Sequence, residues 1–99
     1  MSTTRVVVQP ANTFAIRHLI RRKGGRLEVE TVLLNGKLAW RVHVRLPDDP
    51  TIYRVVVYHT AEIRYFRTFA ALFRYYREMM PDETILPIPM TPVEEINTD

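Results

Sequence analysis

Arg26–Leu46 reads RLEVETVLLNGKLAWRVHVRL, and the Asn35-Gly36 pair at its centre decides the fold. Asn and Gly both tolerate the positive φ of a two-residue type I′ turn, so the flanking runs close into a hairpin. The turn sets the register by pairing Leu34 with Lys37. Leu33 then faces Leu38, Thr31 faces Trp40, Val29 faces Val42 and Leu27 faces Val44. The other face pairs Glu30 with Arg41, Glu28 with His43 and Arg26 with Arg45. A slip of one residue would turn the apolar set to solvent, so pattern and turn specify the same register.

Outward from the hairpin, Pro47-Asp48-Asp49-Pro50 is a tight connection into a Val- and Tyr-rich strand, Thr51 to His59. With Leu46 opposite Thr51, the residues Tyr53, Val55 and Val57 join the apolar face, and Ile52, Arg54, Val56 and Tyr58 take the other. Upstream, Arg5 to Gln9 is a β-branched run that reads as an opening strand. Asn12 or Thr13 can cap a helix to about Lys23, with Ala15, Ile16, Leu19 and Ile20 on its buried face. The bases Arg21, Arg22 and Lys23 suit the negative end of its dipole, and Gly24 suits the turn after it. The rival for this segment is a strand with Phe14, Ile16, His18 and Ile20 on one face.

Downstream, Thr68 is a good N-cap for a helix to about Met80, stopped by Pro81. Phe69, Leu72, Phe73, Tyr76 and Met80 recur at helical spacing and are the expected core face, with Arg67, Arg74 and Arg77 pointing away. Thr84 to Met90 suits an edge strand, because Pro87 and Pro89 would interrupt a central one. The expectation is one α+β domain over residues 1–90. Its antiparallel sheet is a three-stranded meander with an N-terminal strand and a C-terminal edge strand. A C-terminal helix packs on it, with the short N-terminal helix beside. Residues 91–99 read as a flexible acidic tail.

The 99 residues are 46% hydrophobic and 25% charged, ordinary values for one globular domain. No apolar run approaches the roughly 18 residues of a membrane span. Without cysteine, disulfides and thiolate chemistry are excluded, and a reducing compartment, the cytoplasm, is expected. From Pro81 onward the acids are Asp82, Glu83, Glu94, Glu95 and Asp99, with no Lys or Arg. All 14 bases therefore fall on residues 1–80, against only six acids there, so a basic body carries an acidic end. All the bases but Lys23 and Lys37 are Arg, whose planar fork suits phosphate and carboxylate.

The usual catalytic kits are missing. His18, His43 and His59 lie on different elements without metal-ligand spacing, so no metal or other cofactor is expected. Ser2 is the only serine, and three scattered glycines assemble no phosphate loop. Glu28 and Glu30 read as cross-strand partners of His43 and Arg41 rather than as paired catalytic carboxylates.

Two basic constellations remain. One is Arg17, Arg21, Arg22, Lys23 and Arg26. The other is Arg41, Arg45 and Arg54 with His43 and Tyr58 on the outer sheet face. Together they suggest a non-enzymatic basic binding protein that engages nucleic acid or a nucleoprotein complex. The order helix, three strands, helix superficially echoes a double-stranded-RNA-binding domain, but that module's lysine-rich helix start is absent. The alternative is a protein-binding inhibitor or adaptor for an acidic or RNA-bearing partner, as among phage and mobile-element accessory proteins. An apolar patch rimmed by Arg would favour a protein partner, and continuous Arg with isolated Tyr would favour nucleic acid.

Overall fold

The computed structural model describes residues 6–98. Its elements in chain order are β1 (Val8–Ala11), α1 (Thr13–Lys23), β2 (Arg26–Leu34), β3 (Lys37–Leu46), β4 (Asp49–Val55), α2 (Phe69–Met79) and β5 (Glu95–Ile96). The architecture is α+β, with a five-stranded sheet in the order β1-β4-β3-β2-β5.

The central hairpin forms in the expected register, from Leu34 opposite Lys37 to Arg26 opposite Arg45. Asn35 and Gly36 hold the turn at φ of 52° and 80°. β4 continues in the expected phase, with Val44 opposite Tyr53 and His43 opposite Arg54. A shift between Arg45 and Leu46 then sets Leu46 opposite Asp49 instead of Thr51. Asp49 anchors this corner by accepting from the Thr51 N–H and the Tyr53 hydroxyl, each at 2.9 Å.

The sheet is mixed rather than antiparallel, because both outer strands run parallel to their neighbours. β1 pairs with β4 from Val8 opposite Ile52 to Ala11 opposite Val55. Arg5, expected in this strand, lies outside the described residues. The Val7 and Ala11 carbonyls accept from β4-side amides of Ile52 and Val56. Alternation then turns the nitrogen of Pro10 to the free side, where its missing N–H costs no ladder bond and blunts the edge.

At the opposite edge, Thr84–Met90 form no strand. Two of the seven residues are prolines, and the segment instead lays Leu86 and Ile88 against the core. The parallel pairing with β2 comes later, at Glu95 and Ile96, in the stretch read as a flexible tail. Thr98 completes the attachment, its N–H donating to Asn35 Oδ1 at 2.8 Å. Asp99 lies outside the described residues.

Residues 13–23 are helix, not strand. Asn12 Oδ1 accepts from the Ala15 N–H at 3.0 Å, and the chain leaves through Gly24 at φ 70°. A Cβ on Gly25 would sit 2.6 Å from Val44 Cγ1 and 2.9 Å from the Leu19 carbonyl oxygen, so a side-chain-free residue joins helix to sheet.

Both helices contribute to one core with Leu27, Val29, Val42, Val44 and Val55 of the sheet. α1 inserts Ile16. α2 inserts Leu72, Tyr75, Tyr76 and Met79, a stripe rotated from the one expected. Phe69 and Phe73 stay 54% and 45% exposed. Both stripes have spacings of three and four, and both contain Leu72 and Tyr76. Phe66 decides between them. It bonds to the Trp40 backbone in both directions, at 2.9 and 2.7 Å, taking the place beside Trp40 that Val57 was expected to fill. From there its ring meets Tyr75 at 5.1 Å between centroids. A second, smaller apolar cluster of Val32, Leu34 and Ala39 is covered by Tyr65 and Ile96.

Candidate functional site

The hairpin register and β4 bring Glu28, Glu30, Arg41, His43, Arg45 and Arg54 onto one face of the sheet. Arg41 donates to Glu30 at 3.3 Å and reaches Glu94 at 2.9 Å. Arg54 donates to Glu30 at 3.0 Å, and Arg45 to Glu28 at 3.0 Å. His43 is held between carboxylates, Nδ1 at 3.2 Å from Glu30 and Nε2 at 2.9 Å from Glu28. Three carboxylates thus meet three guanidiniums, and the side chain of Arg41 is only 6% exposed. The arrangement is a self-neutralising network rather than a free cationic surface.

Burial pushes the Glu30 carboxyl up, but hydrogen bonding and charge from Arg41, with the charges of Arg54 and His43, hold it below the usual 4.5. Glu28 is likewise raised by burial and lowered further by His43 and Arg45, for a net fall below 4.5. The same balance raises Arg41, where burial opposes ionisation and the bonds to Glu30 and Glu94 outweigh it. Groups whose folded pKa is depressed add stability that is present above the unfolded pKa and lost as pH falls through the folded one. The urea midpoint is therefore expected to fall as pH is lowered from 6 to 3, and Glu30→Gln should flatten that fall. A midpoint equally pH-dependent in wild type and Glu30→Gln would show that Glu30 carries no part of it.

Of the basic residues singled out in the sequence, Arg41, Arg45 and Arg54 are engaged in this network. Arg17 pairs with Glu78 of α2, and Arg26 lies 3.7 Å from Glu83. Arg21, Arg22 and Lys23 are exposed in the last turn of α1, without a carboxylate partner among the described residues. α1 packs on the apolar face, opposite the charged network, so Arg21, Arg22 and Lys23 do not join it, and of the first group only Arg26 reaches that face, opposite Arg45.

The outer side of α2 is a surface that the sequence pattern concealed. Phe69 and Phe73 stack there with centroids 6.1 Å apart and planes at 25°. Arg74 and Arg77 stand beside Phe73 around a groove that Ala70 and Glu78 complete. Phe73 and Arg77 also wall a second groove, about 190 Å3, with Met80 and Ile85 across it. Burying two tyrosines while leaving two phenylalanines in water runs against the ordinary ranking of burial. The clue in the sequence was the adjacent Tyr75-Tyr76 pair, which with Leu72 and Met79 makes an equally regular stripe. A separate exposed pair, Phe14 and Tyr58, meets edge-on at 6.4 Å.

Among the described residues, no three His, Asp or Glu side chains are placed to hold a metal ion. Nor is any described helix long and apolar enough to cross a membrane. Comparison with protein-family models, with curated proteins and with solved structures finds no match to this chain.

Proposed function

We propose that this chain is a non-enzymatic, cytoplasmic binding protein, an inhibitor or adaptor, that docks an acidic protein partner onto the outer face of α2. The observation that carries this reading is the exposed Phe69–Phe73 stack with Arg74 and Arg77 beside it. Aromatic and Arg side chains are enriched among residues that dominate binding energy, and an apolar centre with a charged rim is the usual anatomy of a protein interface. Positive charge at the rim selects a partner with acidic residues and steers its approach.

A second reading, nucleic acid, rests on Arg21, Arg22 and Lys23. They are consecutive, exposed and free of carboxylates among the described residues. Three such bases are fewer than the six to ten phosphate contacts that give strongly salt-dependent binding.

Capture from a native lysate with and without nuclease, followed by titration of the retained partner, separates the two. We expect retention to survive nuclease. Phe69→Ala with Phe73→Ala should weaken the isolated partner's binding at least a hundredfold, roughly 2.7 kcal/mol. Arg74→Glu with Arg77→Glu should slow association. Nuclease-sensitive retention, lost in Arg21→Glu with Arg22→Glu but intact in the double Phe variant, would replace this reading with the nucleic-acid one.

A further inference from the structure

The line of β5 along the outer edge of β2 is hydrogen-bonded beside Thr31–Asn35 and unpaired beside Leu27 and Val29. Val93 donates to the Thr31 carbonyl at 2.9 Å, and the Leu33 and Asn35 amides donate to Glu94 and Ile96 at 3.0 and 2.8 Å. The two-residue turn makes Leu34 and Lys37 a bonded pair, so even-numbered residues of β2 bond to β3 and odd-numbered ones point outward. Leu27 and Val29 therefore direct both N–H and C=O away from the sheet. Among the described residues neither has a partner for these groups, although the residues are only 1% and 6% exposed. Buried backbone groups without partners are rare and costly.

Opposite them lies the Pro87-Ile88-Pro89 segment, across a groove of about 470 Å3 that Arg26, Glu28 and His43 also line. The two prolines have no N–H to give the waiting carbonyls. The strap meets β2 only further along, where the Thr31 hydroxyl donates to the Pro89 carbonyl at 2.5 Å. Arg26, 64% exposed, stands at the groove, and Arg45 is exposed on the strand behind it.

We propose that this groove is a strand-addition site for a short, extended, acidic peptide of a partner protein, running parallel to β2 in line with β5. Its backbone satisfies the two N–H and two C=O groups of Leu27 and Val29, the mode by which sheet edges capture extended chains. The chain's own C-terminal segment already uses the same chemistry one step along, where Glu94 follows the β2 edge and places its carboxylate on Arg41. An acidic side chain in the unpaired stretch meets Arg26, whose contact with Glu83 is a long 3.7 Å, and Arg45, which is then shared with Glu28 as Arg41 is shared between Glu30 and Glu94. The groove is distinct from the α2 face, and the inference does not rest on docking there.

The test is an amide-resolved NMR titration of the full chain with the acetylated, amidated heptapeptide Thr-Val-Glu-Val-Glu-Val-Thr. The Leu27 and Val29 amides should show the largest shifts and slower hydrogen exchange. N-methylation of one alternate set of peptide amides should weaken binding at least tenfold more than methylation of the other set, because one set alone faces β2. Arg26→Glu should weaken binding, and Phe73→Ser should leave it unchanged. The inference is overturned if the two methylated peptides bind alike. It is equally overturned if the shifts map to residues 69–77, or if millimolar peptide moves neither Leu27 nor Val29. Failure here with Phe73 still needed for the lysate partner would leave the α2 reading standing.

Discussion

Leu72→Ala is expected to destabilise the domain by about 2–5 kcal/mol, and Phe73→Ala, one residue on, by no more than about 1 kcal/mol. Leu72 is fully buried between the sheet and the rest of α2, so truncation leaves a cavity that the Val-rich strands cannot collapse into without moving. Phe73 is 45% exposed and rests on Phe69 at the surface, so its loss removes less buried area than that of Leu72 and leaves no enclosed cavity. Denaturant unfolding of the two variants reads the difference directly. A Phe73→Ala cost equal to that of Leu72→Ala would mean that α2 buries the Phe69–Phe73 side, and the proposed docking face would go with it.

Glu30→Ala is the second large effect, about 3–5 kcal/mol, because it strands charges rather than deleting a contact. Glu30 alone touches Arg41, His43 and Arg54, and it lies on the central hairpin. Without it Arg54 loses its carboxylate, and Arg41 keeps only Glu94. Replacing Arg41 with Met in the Glu30→Ala background should recover part of the loss, since the buried guanidinium is what becomes costly. A double variant no more stable than Glu30→Ala would show that the Arg41 charge is not the source of the penalty. At Glu28, which is more exposed and shared with Arg45, the same truncation should cost less.

How far the sequence is legible follows from the distance over which each feature is decided. The hairpin is settled by residues within reach of Asn35-Gly36, and its alternation admits one phase. Its polar face was therefore readable down to the partners Glu30–Arg41 and Glu28–His43. The burial of that face was not, because Arg54 and Glu94 arrive from other parts of the chain. The rotation of α2 was not legible either. Leu72 and Tyr76 belong to both candidate stripes, and the choice is made by Phe66 on the Trp40 backbone and by Thr13, whose hydroxyl lies 3.5 Å from that of Tyr75. The parallel outer strands are too short for periodicity to announce them. β5 has two residues, and β1 carries a proline, which occupies the free side of an edge.

The parallel outer strands also bear on how fast the chain reaches this structure. The hairpin closes locally, an event of microseconds. β1 must find β4 across the whole of α1, β2 and β3, and the Asn35–Thr98 attachment joins residues 63 apart in sequence. Such closures spend chain entropy before any contact repays it, so folding should be slower than that of a helical bundle held by local contacts. Under native conditions the short β5 pairing should be among the first to open. Amides of Leu33 and Asn35 should then exchange with solvent sooner than that of Val42 at the centre of the sheet.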